Sequence, residues 1–223
     1  MRHFSRVGFT HAYISPIAYL MAKALTNKSP QIRPRVHIIA GLWKRTPITV
    51  VDAPGLRPTP DRVRETVFNW LTFLYQGNWQ DKRCLDLYAG SGALGFEAAS
   101  RGAALVTMVE AHSPAVHQLE ALRTKLQAQQ IQIIRGDARV VAAKLASAEF
   151  DLIFLDPPFH RDLLTTILPE CIRVLREDGY LYIEAEISLS INDLPECLNN
   201  WQVIRCDKAG KVFFHLLQRN TKL

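Results

Sequence analysis

From residue 84 onward, short apolar runs alternate with stretches of helical periodicity, and this rhythm limits the fold more tightly than any other feature of the chain. Residues 84–88 predict a strand and 93–101 a helix. The pair repeats as 105–110 with 113–129, as 131–135 with a short helix after Asp137, and as 151–155 with a helix over 163–175 bent at Pro169. Residues 180–184 predict a fifth strand. Consecutive parallel strands need a long crossover, so repeated strand–helix units imply a mostly parallel sheet with helices on both faces. Two last runs, near 202–206 and 212–217, flank Lys208-Ala-Gly-Lys211 and predict a closing antiparallel hairpin. The expected class is α/β, a doubly wound sheet of seven strands.

Upstream, residues 36–40 and 47–51 are β-branched runs separated by Gly41 and the basic bend Lys44-Arg45, which predicts a small hairpin. Thr59 as N-cap and Pro60 at the first helical position then open a helix. Val63, Val67, Trp70, Leu71 and Leu74 fall on one face of it, and Arg62, Glu65 and Asn69 on the other. The expected organisation is a basic, poorly ordered extension over 1–34, a hairpin-and-helix cover over 35–83, and the sheet domain over 84–223. Residues 12–22 are fairly apolar and follow Arg2 and Arg6 as in a secretory leader. Pro16 interrupts them, however, and Lys23 follows without a small-residue cleavage site.

Charge is distributed unevenly. Residues 1–83 carry 13 basic and 4 acidic side chains, whereas 84–223 carry 14 and 17, and no acid precedes Asp52. A basic front on a mildly acidic body points to a polyanionic partner, nucleic acid before membrane, or else to a solubilising tail. With 48% hydrophobic residues the chain has material for a core, which excludes wholesale disorder. No apolar run reaches the roughly 20 residues of a membrane span. Cys84, Cys171, Cys197 and Cys206 show neither CxxC nor zinc-ligand spacing, so buried free thiols in a reducing, cytoplasmic compartment are expected.

The chemistry concentrates at the ends of the expected strands. Asp86-Leu-Tyr88-Ala89-Gly90-Ser91-Gly92-Ala-Leu-Gly95 spans the first strand-to-helix turn, where glycines admit close approach of a ligand to the backbone. Glu110 ends the next strand, where a carboxylate can accept both ribose hydroxyls. Gly90, Gly92 and Gly95 satisfy GxGxxG, so a dinucleotide oxidoreductase competes. Asp86 argues against it: a carboxylate ahead of the loop repels a pyrophosphate and attracts the ammonium and sulfonium of S-adenosylmethionine. Asp137 can receive an adenine amine or be an ordinary surface acid. Asp156-Pro157-Pro158-Phe159 follows the fourth strand. There Asp156 and the Pro157 carbonyl can each accept a hydrogen bond from an exocyclic NH2, with Phe159 stacked on the base that carries it.

In order along the chain, DLYAGSGALG, Glu110, Gly136-Asp137-Ala138 and DPPF resemble the motifs of class I methyltransferases that modify exocyclic amines of nucleobases. The segment Arg57-Pro-Thr-Pro-Asp-Arg62-Val-Arg64-Glu65-Thr-Val-Phe68-Asn69, preceded by His37-Ile-Ile-Ala-Gly-Leu-Trp43, narrows the likeness. It resembles the RsmD-type bacterial enzymes that methylate guanine N2 in small-subunit (16S) ribosomal RNA, over about residues 35–219. The resemblance implies a Rossmann-like class I methyltransferase fold with S-adenosylmethionine as cofactor and small-subunit rRNA as partner, guanine 966 being the implied target. It implies that Asp86, Ala89, Gly90 and Gly92 line the methionine side of the cofactor, with Tyr88, Ser91 and Gly95 also in the cofactor-binding turn. Glu110 would hold the ribose, Asp137 and Ala138 the adenine, and Asp156, Pro157, Pro158 and Phe159 the target base. Residues 57–69 would fold over the entrance. Arg33, Arg35, Lys44, Arg45, Arg57, Arg62 and Arg64 are expected to bind RNA phosphates, so affinity should fall steeply with salt. No metal is required, and a monomer is the simplest assembly. Three alternatives stay open: an adenine-N6 methyltransferase, which DPPF suits equally; a dehydrogenase, which leaves DPPF idle; and a non-catalytic RNA-binding protein on the same scaffold.

Overall fold

The sheet builds outward from Phe150–Leu155, all six of whose residues are buried. A continuous apolar run is what a strand covered on both faces requires. This strand is β6 of the computed structural model, which describes residues 35–50, 59–158, 163–189 and 194–220. On one side of β6 lie β3 (Arg83–Asp86), β4 (Leu105–Glu110) and β5 (Ile131–Arg135); on the other lies β7 (Leu175–Ala185), all parallel. β9 (Val212–Arg219) runs antiparallel to β7, and β8 (Trp201–Ala209) antiparallel to β9. The order is thus β5-β4-β3-β6-β7-β9-β8, the expected mostly parallel seven-stranded sheet with an antiparallel hairpin at its edge. β7 starts five residues before the expected strand. Leu175 pairs with Phe150, and the polar stretch 176–179 is taken up in an irregularity opposite Asp151.

Helices α2 (Ala93–Ser100), α3 (Ser113–Leu126), α4 (Ala138–Ala142) and α5 (Leu163–Val174) fill the crossovers, with Pro169 inside α5 as expected. Side chains alternate across a strand, so the sheet faces two cores. One contains Cys84, Met108, Leu152 and Phe154; the other contains Leu85, Val109, Ile153 and Leu155. The hairpin of β1 (Arg35–His37) and β2 (Pro47–Thr49), followed by α1 (Asp61–Leu74), packs into the first. There Ile38, Ile48, Val67, Phe68 and Leu71 share one cluster with Phe96 and Phe154. Residues 34–223 form one compact unit. Cys84 and Cys171 are buried as expected, whereas Cys197 and Cys206 are exposed, on a short 3-10 turn and on the edge strand.

One buried carboxylate fastens the hairpin. Glu97, fully buried on α2, accepts hydrogen bonds from the backbone N–H groups of Ile39 at 2.6 Å and Ala40 at 3.1 Å, and from Arg101 Nε at 2.7 Å. Ser100 adds two more ties, accepting from Trp43 N and donating to the Ala40 carbonyl. Gly41 sits at φ +81° against the Ser100 carbonyl, where a Cβ would collide with it.

The same region corrects one expectation. Arg64 is not a surface cation for phosphate: it is fully buried, with Nη2 donating to Asp61 and to the His37 carbonyl and Nε to the Thr59 carbonyl. Its Nη1 has no hydrogen-bond partner, and the Glu97 carboxylate answers its charge from 3.9 Å. Arg64 shares the helical stripe of Val63, Val67, Phe68 and Leu71, so its guanidinium is carried into the interface between α1 and the hairpin.

Candidate active site

Strand order reverses between β3 and β6, and ligands of open α/β sheets bind in the crevice this leaves at the carboxyl ends of the strands. Here four of the five neighbouring parallel strands end at or next to a carboxylate, and the fifth, β5, is followed by one two residues on. Across β5, β4, β3, β6 and β7 these are Asp137, Glu110, Asp86, Asp156 and Glu184. At about 4.8 Å between strands the row spans roughly 19 Å.

The glycine turn lies at the middle of this row. Gly90 and Gly92 have φ of +52° and +80°, values that a side chain strains. Gly92 is also the N-cap of α2, and no side chain caps that end. A Cβ on Gly92 would lie 2.5 Å from Leu119 Cδ2, and one on Gly95 2.5 Å from Met108 Sδ. Gly95 therefore acts by letting α2 close onto β4. Asp86 Oδ2 accepts from the Gly95 N–H at 3.2 Å. Glu110 fixes the outer wall of the turn, its two oxygens accepting from Gly90 N at 2.8 Å and His112 N at 2.7 Å. Ala89 and Ser91 are buried and Tyr88 half-buried. Asp137 is exposed and N-caps α4, accepting from Arg139 N and Val140 N, while Ala138 behind it is buried.

The electrostatics of the crevice favour a cation. Burial, reinforced by Glu110 and Glu184 and opposed by the Gly95 N–H, pushes the Asp86 carboxyl up to about 7. Burial first, then Glu184 and Asp86, hold Asp156 well above the usual carboxylate range. All the charged groups acting on these two acids are themselves carboxylates. A pyrophosphate is repelled by such a site, whereas an ammonium or sulfonium is attracted.

Asp156 and Pro157 follow β6 directly; Pro157 is buried, Pro158 exposed, and Phe159 lies outside the described residues. Thr59 departs from its expected role. The N-cap of α1 is Pro60, without a side-chain cap. The Thr59 hydroxyl is instead turned into the crevice, 2.9 Å from Glu184 Oε1 and 3.4 Å from Asp156 Oδ2. Two carboxylates, Glu184 buried and Asp156 half-buried, compete for it more strongly than a helix end that water can reach. Glu184, 5% exposed, was not among the expected site residues; its position one residue before the end of a strand following DPPF was the available signal.

The expected RNA-binding side chains divide. Lys44, Arg45 and Arg62 are exposed, the first two on the hairpin loop and the third on α1. Arg33, Arg57 and the side chain of Arg35 lie outside the described residues. Glu65 and Asn69 are exposed beside Arg62, as the helical pattern requires. A separate cavity, lined in part by Trp201 and Arg219, shares none of these residues.

Comparison with known proteins agrees with this geometry. Residues 36–218 match the family described as Conserved hypothetical protein 95. The chain is 39% identical over 194 residues to the ribosomal RNA small subunit methyltransferase D of Escherichia coli K12, covering 84% of this chain and 92% of that one. With the protein of the same name from Haemophilus influenzae it shares 37% over 201 residues, covering 86% and 97%. A solved structure of yhhF from Escherichia coli superimposes with a TM-score of 0.73 at 34% identity, covering 85% of this chain and 100% of that one.

Proposed function

The chain belongs to the family of the ribosomal RNA small subunit methyltransferases D, and from that premise we propose that it methylates the exocyclic N2 amine of a guanine in small-subunit rRNA, with guanine 966 as the target. The observation that carries this reading is the placement of Asp156 and Pro157 at the carboxyl end of β6, beside Asp86 and the glycine turn at the switch point.

The residues fit S-adenosylmethionine. The carboxylate row suits its two positive centres, the turn at Gly90 and Gly92 presents backbone rather than side chains to its methionine part, and Glu110 and Asp137 supply acceptors suited to a ribose and an adenine amine. When bound, the cofactor supplies an electrophilic methyl on a sulfonium. The work of this chain is on the acceptor. Guanine N2 is a weak nucleophile because its lone pair is delocalised into the ring. Hydrogen bonds from its two N–H groups to Asp156 and to the Pro157 carbonyl draw that pair out of conjugation and aim it. Pro157 and Pro158 fix the backbone and contribute no competing N–H donor. A base within paired or stacked RNA must be extruded to reach this point, and Phe159 is the residue assigned to stack on it. Lys44, Arg45 and Arg62 then hold the flanking phosphates. One copy of the chain suffices, and an rRNA substrate goes with a cytoplasmic location.

The test is transfer of labelled methyl from S-adenosylmethionine to undermethylated small ribosomal subunits, followed by nucleoside analysis. Label in N2-methylguanosine supports the reading. Label in N6-methyladenosine keeps the chemistry and replaces the substrate. Absence of label, with cofactor binding demonstrated, refutes the small-subunit rRNA reading in favour of another RNA context or a non-catalytic RNA-binding scaffold.

A further inference from the structure

We propose that Glu184, acting through the Thr59 hydroxyl, is a positioning residue that sets the orientation and charge of Asp156. The inference rests on the amine-methylating reading above and assigns a role to the one strand-end acid that this reading leaves idle.

Leu155 and Ile183 are register partners on the parallel strands β6 and β7, so the next residues, Asp156 and Glu184, stand side by side. Between them sits Thr59, itself 5% exposed and brought in from the segment that leads into α1. Glu184 Oε1 accepts from Thr59 at 2.9 Å and from the Tyr182 hydroxyl at 2.8 Å. The groups facing Asp156 are thus Asp86 from β3, Glu184 and Tyr182 from β7, and Thr59 ahead of α1. A buried acid beside a half-buried one is costly to fold around, and such pairs belong to sites where proton affinity is tuned. In this site the negative Glu184 keeps Asp156 a stronger hydrogen-bond acceptor for an amine N–H, at the expense of its ionised fraction in acid. The hydroxyl works in the opposite sense by donating to the pair. It also ties the entry of α1 to the base-binding loop, so the cover and the acceptor are set together.

The test uses the full chain, undermethylated small subunits and labelled S-adenosylmethionine, with kcat measured from about pH 5 to 9. Glu184→Gln is expected to lower the plateau and move the acid limb to lower pH. At the acid end it should keep a fraction of its own plateau about tenfold larger than the wild type keeps. Thr59→Val is expected to move the limb the other way, and Glu184→Asp, which preserves the charge, to return it toward the wild-type position. KM for the methyl donor should change little in all three. A Glu184→Gln profile lowered by one factor at every pH would overturn the proposal, because a merely structural acid gives that result. Limbs that move in the same direction in Glu184→Gln and Thr59→Val would also overturn it. If Glu184→Gln does not fold, the Thr59→Val and Glu184→Asp limbs decide. Failure of the wild type to methylate guanine would sink the underlying reading instead, and is seen before any variant is compared.

Discussion

Replacing Glu97 with glutamine changes one atom in a buried polar junction, and its cost can be worked from the contacts. Both carboxylate oxygens are acceptors: Oε2 for Ile39 N, and Oε1 for Ala40 N and Arg101 Nε. An amide accepts at one oxygen only, so in Glu97→Gln the new NH2 group must point at an N–H donor. The change also removes the negative charge that answers Arg64 Nη1, an atom with no hydrogen-bond partner of its own. Arg64 keeps Asp61 at 2.6 Å, but that acid is about half exposed and screened by water. Hydrogen bonds to a charged group contribute about 1.5–3 kcal/mol each, and breaking a buried pair by removing one partner costs about 3–5 kcal/mol. With the shape preserved and Asp61 retained, the lower figure applies, about 3 kcal/mol. For a unit of this size that corresponds to a fall in Tm of about 6–12 °C. Urea denaturation followed by circular dichroism measures the first quantity and calorimetry the second. Hydrogen exchange should show lost protection at Ile39 and Ala40 before the sheet opens. A loss below about 1 kcal/mol with those two amides still protected would refute the claim that this carboxylate holds the hairpin.

Other consequences can be checked separately. Asp156→Ala should bind S-adenosylmethionine with near wild-type affinity by calorimetry while kcat falls by about 100-fold or more; normal turnover would remove Asp156 from the chemistry. Arg62→Ala should weaken RNA binding and reduce the slope of log affinity against log salt by about one, whereas Arg64→Ala should lower Tm. Stability without cofactor should fall as pH rises from about 4 to 7 and then level. The Asp86 carboxyl, raised in the folded state to about 7, holds a proton there that the unfolded chain has released. Asp156 and Glu184 act in the same direction, so Asp86→Asn should flatten the thermal-melting profile across this window only in part.

What the sequence disclosed follows from how local each signal is. β4 and β5 begin and end where the apolar runs do, and the glycine turn and Asp156-Pro157-Pro158 occupy the strand ends that their spacing requires. Arg64 was misplaced because a basic residue on a covering helix reads as solvated. Its spacing from Val67, Phe68 and Leu71 carried the correction, since those residues define the buried stripe. Thr59 looked like a cap because the threonine–proline pair is a local pattern. Its partner Glu184 is 125 residues away, and only strand order brings the two together. The early start of β7 was hidden for a related reason: the polar residues 176–179 look like a loop until Leu175 is seen to pair with Phe150.

Helix α2 has a separate engagement at each end. Its first turn meets the glycine loop and Asp86, and its last turn, through Glu97 and Ser100, grips the hairpin. Eight residues make a strut about 12 Å long, and each added residue would lengthen it by about 1.5 Å and rotate one end against the other by about 100°. Inserting or deleting a single residue between Gly92 and Ser100 therefore swings the gripping side chains off their targets even if the helix itself stays intact. The strut works as a fixed gauge between the glycine turn and the hairpin, and because all eight of its residues are buried its length and its packing are constrained together.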